Sequence, residues 1–278
     1  MVTDHSQEDA FNPPNEHNSA WVKIEKAAAN TTDSCFVSLR GYEHSENNGP
    51  DGKGHFNIIN SAGYLNALQK GIDLQKFYTW LKNAKSAGVG PVVASFNHPG
   101  KNQYNDWAYR DPAITNIITL LEVINSNDKI HYDGFVRALD KGWKVSPVAG
   151  NDNHNITGIT NQFSRTFVHA KHRTKKGLLT AMKMRRTYAS LDNNIQCVYW
   201  VNQEVMGSII QKNDIYYFKI CTKDPDTNIK GNKITKVDII KDKGEIVATY
   251  TSETPTHSVN WNVSIYDAKA HYFYKSLE

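Results

Sequence analysis

The strongest constraint on how this chain can fold is a change of pattern near residue 195. Between residues 35 and 190, apolar runs typical of β-strands alternate with segments whose apolar residues recur at helical spacing. One helix is predicted to begin after Asp73, which can cap it, because Leu74 and Phe77 then fall on one face. A second is predicted over residues 174–188. This alternation predicts an α/β layer or barrel with parallel strands.

After residue 195 the helical spacing disappears. Short β runs follow one another and are separated by turn-forming residues such as Asp224-Pro225-Asp226 and Lys243-Gly244. That pattern predicts a small antiparallel β-sandwich of immunoglobulin-like type. We therefore expect two domains, one over residues 1–195 and one over residues 196–278. The second is expected to be truncated at its C-terminus, because both ends of the chain resemble those of an excised piece.

The composition fits ordinary globular domains and argues against several classes of protein. Of the 278 residues, 39% are hydrophobic and 22% are charged, and the formal net charge is only +4. The basic residues are scattered, so nucleic acid is not an expected partner. No apolar stretch approaches the roughly 18 residues of a membrane helix, and no signal peptide is visible. Three distant cysteines argue against a disulfide framework or a thiolate zinc site.

Histidines and carboxylates follow the apolar runs, at positions where α/β proteins build their sites. Parallel strands present their carboxyl ends at one edge, so side chains that follow different strands meet there. Imidazole and carboxylate together suit zinc, iron or manganese, and one carboxylate can bridge two ions. The residues with this placement are Asp4, His5, Glu43, His55, His98, Asp152 and His154. The sequence therefore predicts a centre that binds divalent metal ions.

Other candidate residues have more ordinary explanations. Glu122 ends an apolar run and could support the centre without binding metal. His44 is expected to be a surface or packing residue. Residues 183–186, Lys-Met-Arg-Arg, lie late in a predicted helix, where cations favour the helix dipole, although contact with an anionic substrate stays open. The sequence contains no nucleophile elbow, P-loop or dinucleotide-binding fingerprint.

Five short motifs, in order along the chain, resemble those of the polymerase-and-histidinol-phosphatase (PHP) superfamily. They are Thr3-Asp4-His5-Ser6, Gly41-Tyr42-Glu43, Gly54-His55, Asn97-His98-Pro99 and Asp152-Asn153-His154. A sixth segment, Arg185-Arg186-Thr187-Tyr188-Ala189-Ser190 followed by Met206-Gly207, resembles the branch that includes carbaryl-hydrolase-like metallohydrolases. The resemblance covers about residues 1–195 and extends only weakly into the β-rich segment.

The resemblance implies a distorted seven-stranded β/α barrel with two or three divalent ions (manganese, zinc or iron) at the strand ends. By motif, Glu43 would bridge two ions, and His55 and His98 would complete the site of one. His5 and His154 would bind another ion, and Asp152 would bind the ion that Glu43 shares. Asp4 would orient water, and His98 would also lie close enough to act in catalysis.

One feature of the family is missing from the sequence. Members begin with a His-x-His strand directly before the Thr-Asp-His segment, and no His-x-His occurs in this chain. The first barrel strand is therefore expected to be absent or truncated. The ion bound by Asp152 is expected to keep only two protein ligands.

Three functional hypotheses follow. The first is a metal-dependent hydrolase, a phosphoesterase acting on a small molecule through a metal-activated water. The second uses the same centre on a carboxylic or carbamate ester. The third is a catalytically silent metal-binding protein that recognises a glycan or a partner through the β-rich segment, where Trp200, Trp261 and Tyr266 could form a surface. Relatives with an appended β-domain are often exported, so the resemblance favours secretion of the parent protein.

Overall fold

Strands outnumber helices in this fold. The computed structural model describes residues 2–6, 11–12, 14, 16–46, 53–154, 164–227 and 233–277. These residues form sixteen β-strands and six α-helices. The helices are α1 (Ser19–Asn30), α2 (Leu74–Asn83), α3 (Gln103–Trp107), α4 (Pro112–Thr115), α5 (Tyr132–Asp140) and α6 (Lys175–Lys183). None of the helices in these ranges is long and apolar enough to cross a membrane.

The sheet with the most strands in the described part of the chain is a seven-stranded mixed sheet. Its strands are β1 (Val2–His5), β2 (Arg40–Glu46), β3 (Gly54–Ile59), β4 (Val93–Asn97), β5 (Ile118–Asn125), β6 (Lys129–Ile130) and β7 (Ser146–Ala149). They lie in the order β1-β2-β3-β4-β5, and both β6 and β7 pair with β5. The pairs β1–β2, β4–β5 and β5–β7 are parallel, whereas β2–β3, β3–β4 and β5–β6 are antiparallel.

The predicted seven-stranded β/α barrel is wrong. The sheet is open, because within the described ranges β1 pairs only with β2 and forms no ladder with β6 or β7. A β/α barrel needs parallel strands, and each parallel crossover takes a dozen or more residues. Only residues 47–53 separate β2 from β3. These two strands therefore pair antiparallel. Strand β4 pairs antiparallel with β3 in turn, so the three strands form a meander and not the parallel wall of a barrel.

The edge of the sheet at β7 is covered by a separate pair of strands, β8 (Arg165–Val168) and β9 (Thr187–Ser190). These two strands pair antiparallel with each other. Pro147 in β7 lacks an N–H, which limits this strand to an edge position. Side-chain hydroxyls make the contact instead: the Ala149 N–H donates to Thr166 Oγ1 at 2.7 Å, and Thr187 Oγ1 donates to Pro147 O at 3.0 Å. The hydrogen-bonded ladder of the seven-stranded sheet therefore ends at β7, where a closed barrel would continue to a further strand.

One face of the seven-stranded sheet is covered by an aromatic core. Tyr42, Phe56 and Phe96 come from neighbouring strands and are fully buried on this face. The rings nearest to Phe56 are Phe77, Tyr78, Phe96 and Tyr104, with centroids 4.6 to 5.8 Å away. Because β-strand residues alternate between faces, this layer leaves the intervening residues for the opposite side.

The opposite face is divided into an apolar and a polar part. Ile59, Val93 and Leu120 pack against Leu179 of α6 in a small apolar cluster. Farther along the strands, the same face carries polar side chains, including Glu43. The apolar part anchors α6, so the polar part is left as the candidate site.

The two helix predictions have different outcomes. The helix after Asp73 is confirmed as α2, and the Asp73 carboxylate accepts the Lys76 N–H at 2.8 Å. The helix predicted over residues 174–188 is wrong in its last part, because α6 ends at Lys183 and β9 begins at Thr187. Arg185, with a left-handed backbone at φ +58°, ends the helix.

The segment predicted as an immunoglobulin-like sandwich contains two antiparallel sheets around a shared apolar core. Its strands are β10 (Gln196–Val201), β11 (Glu204–Val205), β12 (Ile215–Lys223), β13 (Ile234–Lys241), β14 (Glu245–Thr256), β15 (Ser258–Tyr266) and β16 (Phe273–Leu277). The first sheet has the order β11-β10-β12-β15 and the second the order β14-β13-β16. Phe218 and Ile220 from one sheet and Val237 and Ile239 from the other are buried in this core.

Candidate metal centre

Three neighbouring strands bring a glutamate and two histidines together. Glu43 lies in β2, His55 lies in β3, and His98 directly follows β4. Antiparallel pairing sets Ser45 opposite His55, and His55 opposite Asn97. The end of β2, the start of β3 and the end of β4 therefore lie side by side. The convergence comes from this antiparallel register, not from the parallel carboxyl ends on which the sequence argument relied.

The distances between the ligand atoms fit a shared divalent cation. One ligand atom from each of Glu43, His55 and His98 lies within 4.8 Å of the other two. Glu43 Oε1 is 3.1 Å from His55 Nδ1 and 3.7 Å from His98 Nε2. Ligand atoms about 2.1 Å from one tetrahedral ion are about 3.4 Å apart, between these two values. One carboxylate and two imidazoles also form a donor set suited to zinc, iron or manganese.

Glu43 is buried but held in its charged form. Burial alone would raise the pKa of this carboxyl group. Hydrogen bonds from His55 and His98, together with the nearby charge of His5, instead hold the pKa well below its ordinary value. Asn97 Nδ2 also donates to Glu43 Oε1, at 3.1 Å. Because a carboxylate must be deprotonated to bind a cation, these contacts prepare Glu43 for that role.

The turn after β4 directs two consecutive side chains toward one carboxylate. Adjacent residues of a strand point to opposite faces, yet both Asn97 and His98 reach Glu43. This is possible because His98 has a left-handed backbone, with φ +32°. Such a conformation is uncommon outside glycine and needs support from its surroundings. The His98 N–H supplies that support by donating to Glu122 Oε2 at 2.8 Å.

Glu122 forms a buried polar base beneath this turn. Its second contact is with Asn125 Nδ2, which donates to the same oxygen at 2.7 Å. Burial raises the pKa of Glu122 to about 7, and the nearby charge of His98 opposes that rise. Gly150 leaves room for the carboxyl group, since a β-carbon there would lie 1.8 Å from Glu122 Oε1. Asn125 and Gly150 carry no sequence signal, because the first contact depends on the irregular end of β5 and the second on how β5 and β7 pair.

The other predicted metal ligands contact the group of Glu43, His55 and His98 directly or through His5. His5 Nδ1 is 3.4 Å from Glu43 Oε2. His5 Nε2 is 3.1 Å from His154 Nε2, and the two rings stack with centroids 5.3 Å apart. Asp152 Oδ2 is 3.9 Å from His98 Nε2. All six predicted ligands are thus linked by short contacts, and Glu43, His55 and His98 form the compact group among them.

Asp4 is set apart from the other predicted site residues. In the β1–β2 ladder Asp4 pairs with Tyr42, whereas His5 pairs with Glu43. Because successive strand residues face opposite sides, Asp4 points away from Glu43, and its side chain is exposed. This geometry gives no support to a water-orienting role for Asp4.

A left-handed turn supports the centre from the side of the aromatic core. Tyr104 and Asp106 in α3 have φ values of +58° and +52°. The buried Tyr104 hydroxyl lies 3.0 Å from His55 O and 2.8 Å from Asn97 O. It therefore ties together the two strands that carry His55 and Asn97. Neither Tyr104 nor Asn97 was assigned a role from sequence, although Asn97 adjoins a predicted ligand.

His44, the neighbour of Glu43 in sequence, belongs to the core. Its ring is fully buried and stacks on Phe77 with centroids 4.1 Å apart. Burial lowers its pKa to about 4, so the imidazole is neutral at pH 7. The neutral ring donates from Nδ1 to Leu65 O at 3.1 Å. Of the two expectations for His44, a surface or a packing residue, the structure shows the packing residue.

Comparison with known proteins supplies no family for this chain. No protein-family model matches it, and no curated protein matches it. The resemblance to the PHP superfamily therefore stays a prediction that rests on short motifs.

Proposed function

We propose that the protein is a metal-dependent hydrolase whose substrates are phosphoesters of small molecules. The observation that supports this most is the convergence of Glu43, His55 and His98, with ligand atoms within 4.8 Å of one another. Two or three divalent ions, manganese, zinc or iron, are the proposed cofactors. His5, His154 and Asp152 are the proposed further ligands, because each lies within 4 Å of another member of the set.

The chain's own residues have distinct parts in this proposal. Glu43 is held as a carboxylate by His55 and Asn97, so it offers charge without first losing a proton. Glu122 fixes the turn that orients His98. Bound divalent ions supply an activated water near neutral pH and offset the charge that develops on phosphoryl oxygens. The same parts suit attack on a carboxylic or carbamate ester, which is the alternative substrate class.

The first experiment counts metal per chain and then measures turnover. Elemental mass spectrometry on protein purified without chelator should find at least two ions per chain, and one ion or none would mean a partial site. An aryl phosphate, an aryl phosphodiester and an aryl carboxylate ester should then be compared with and without added manganese. We expect phosphoester cleavage that chelator abolishes and manganese restores. Turnover that chelator leaves unchanged would overturn the metal mechanism, and cleavage of the carboxylate ester alone would shift the substrate to the alternative class.

A variant pair tests whether the activity belongs to this centre. Glu43→Gln removes the shared carboxylate charge and should abolish turnover and cost the protein at least one bound ion. Glu204→Gln makes the same chemical change at an exposed position in β11 and should change neither. Equal activity in the two variants would show that hydrolysis arises elsewhere.

A second candidate function is glycan recognition by the outer face of the four-stranded sheet. Trp200, Tyr217 and Asn262 line a shallow cavity of about 630 Å³ on this face. Lys219 Nζ lies 5.6 Å from the centroid of the Trp200 ring. Aromatic rings beside amide groups suit the apolar faces and hydroxyls of a neutral sugar. Trp261, by contrast, packs against the apolar core, 6.0 Å from Tyr250, and does not belong to this surface.

The two functions are separated by a glycan array probed with the full chain and with Trp200→Ala. Binding that Trp200→Ala removes, together with no turnover of any ester, favours recognition. Turnover without glycan binding favours the hydrolase.

A further inference from the structure

A large cavity lies away from the candidate metal centre. Its volume is about 710 Å³, within the range of small-molecule sites. It lies between α5 and β9 on one side and the two C-terminal sheets on the other. Neither Glu43, His55 nor His98 lines it. The cavity therefore needs an explanation separate from the proposed hydrolase.

The cavity walls are mainly apolar and aromatic. Phe135 and Leu139 come from α5, Tyr188 comes from β9, and Met206 and Tyr216 come from the C-terminal segment. The cavity is partly open, so its apolar walls face water and lack dispersion contacts there. An apolar ligand body would restore those contacts.

Four Arg and Lys residues line this space: Lys144, Lys212 and Lys233 are exposed, and Arg185 alone among them is half-buried. The Arg185 side chain is half-buried, and its Nε donates to Gly207 O at 3.1 Å. Among the described residues, no carboxylate lies within ion-pair distance of it. Burial lowers the pKa of Arg185 with no opposing effect from a nearby charge. A half-buried guanidinium with unused donors suits a carboxylate ligand, which it can bind through two parallel hydrogen bonds.

The carboxylates that line the same cavity do not compete for Arg185. Asp192 Oδ1 accepts the backbone N–H groups of Asn194 and Ile195, at 2.8 and 2.7 Å. Asp224 Oδ1 accepts the Asp226 N–H at 2.8 Å. Glu204 is the third, and it is exposed. The positive charge at Arg185 is therefore available to a ligand.

The backbone at Arg185 has a conformation that favours glycine. The N–H groups of Arg186 and Arg185 donate to Ala181 O and Met182 O, at 2.9 and 3.0 Å, which forms a Schellman motif at the end of α6. The left-handed residue of this motif is usually glycine, yet here it is Arg185, at φ +58°. Glycine would adopt this conformation at lower cost, so an Arg185→Gly variant removes the side chain without straining the backbone.

We propose that this cavity binds an amphipathic carboxylate, whose apolar body fills the aromatic-lined space and whose carboxylate pairs with Arg185. The proposal does not depend on the hydrolase function. It also gives a use to Arg185, one of the late-helix cations for which the sequence leaves contact with an anion open.

The test is calorimetric titration of the full chain with decanoate and with decan-1-ol, an uncharged match, below micelle-forming concentrations. We expect decanoate to bind roughly 10- to 100-fold more tightly than decan-1-ol. Arg185→Gly should remove that advantage, while its melting temperature stays at or above that of the wild type, because glycine suits this left-handed position. Arg173→Gln removes one charge at an exposed position and should leave decanoate binding unchanged.

A second variant tests the cavity itself. Ala189 lines the space, and Ala189→Phe should weaken the binding of both probes by at least tenfold. Failure of decanoate to bind the wild type would overturn the proposal. So would equal decanoate affinity in the wild type and Arg185→Gly, or unchanged binding in Ala189→Phe.

Discussion

The two faces of the seven-stranded sheet are built from the same strands but have opposite chemistry. Within β2, Tyr42 joins the aromatic core, and Glu43, the next residue, enters the candidate metal centre. His44 returns to the core, where it stacks on Phe77. Residues that stabilise the core and residues of the candidate site therefore alternate along β2. Substitutions one residue apart should therefore affect different properties.

The largest expected effect is on the aromatic face. Phe56 is fully buried among four aromatic rings. Phe56→Ala should lower the free energy of unfolding by about 3–5 kcal/mol, because it removes a ring and leaves a cavity. Denaturant unfolding at constant metal concentration measures this change. Tyr266→Ala removes a ring that is 76% exposed and should change the free energy by less than about 0.5 kcal/mol.

Phe56→Leu keeps most of the core volume filled and tests whether the two faces of the sheet are independent. It should cost only about 1 kcal/mol and leave the metal content of the folded protein unchanged. A loss of metal from folded Phe56→Leu would show that the two faces are not independent.

Next in size is the effect of removing the shared carboxylate. Glu43→Gln should weaken divalent metal binding by more than about 100-fold, beyond the effect expected for residues that only orient a ligand. Isothermal titration with zinc or manganese measures the affinity. His44→Ala, one residue away, should instead destabilise the fold by about 2 kcal/mol, since Leu65 O loses its donor and Phe77 loses a stacking partner. Metal loss in a folded His44→Ala protein would contradict the separation of the faces.

A smaller effect is expected at Asn97, which orients Glu43. Asn97→Ala removes the 3.1 Å hydrogen bond to Glu43 Oε1 and should weaken metal binding by about 10- to 100-fold. The matched control is Asn262→Ala on the exposed face of β15, which should leave the affinity unchanged. If Asn97→Ala proves as damaging as Glu43→Gln, Asn97 contributes more than orientation.

Substitution of Gly150 should weaken metal binding less than substitution of Asn97. In Gly150→Ala the new β-carbon would lie 1.8 Å from Glu122 Oε1, so the carboxyl group must move. We expect a loss of about 1–3 kcal/mol in unfolding free energy and less than about a tenfold loss in metal affinity. Gly63 has no atom within 4 Å of the equivalent position, so Gly63→Ala should be neutral or slightly stabilising. Equal melting temperatures for the two variants would contradict the close fit around Glu122.

The fold was only partly predictable from the sequence. Asp73 and the helical spacing after it were sufficient for α2, because a cap and an amphipathic face are local signals. Strand direction is not a local property: the runs that form β2, β3 and β4 look the same in a parallel and in an antiparallel sheet. The clue was the connection over residues 47–53, which is too short for a parallel crossover.

The candidate site was more predictable than the fold. Imidazole and carboxylate side chains are recognisable whatever the strand direction, so Glu43, His55 and His98 could be named from sequence. Their supporting residues could not. Gly150 meets Glu122 only because β5 pairs with β7, and Asn125 reaches the same carboxylate at the end of β5, where the register shifts between Glu122 and Ile124. Such contacts depend on register, which side-chain patterns alone do not determine.

The smallest expected effect is at the outer surface of the aromatic layer. Asp106 lies in the α3 turn that also carries Tyr104. Its carboxylate accepts hydrogen bonds from Lys141, which directly follows α5, and from Arg137 within α5. The hydrogen bond from Lys141 has the largest effect, and together with the contact from Arg137 it holds the pKa of Asp106 below its ordinary value. A lowered pKa stabilises the fold above the ordinary pKa of the group, and this contribution is lost as the pH falls through the lowered value. The wild type should therefore lose slightly more thermal stability than Asp106→Asn on acidification from about pH 5 to about pH 2.

The Asp106 difference should shrink in about 1 M salt, because the ion pairs are exposed and screened. Melting curves at several pH values measure it, with Asp133→Asn as an exposed control on α5. Metal affinity should stay the same in Asp106→Asn, since Tyr104, not Asp106, contacts the strands of the centre. A change in metal affinity would mean that the left-handed turn transmits surface charge to the other face of the sheet, so the two faces would be coupled through α3.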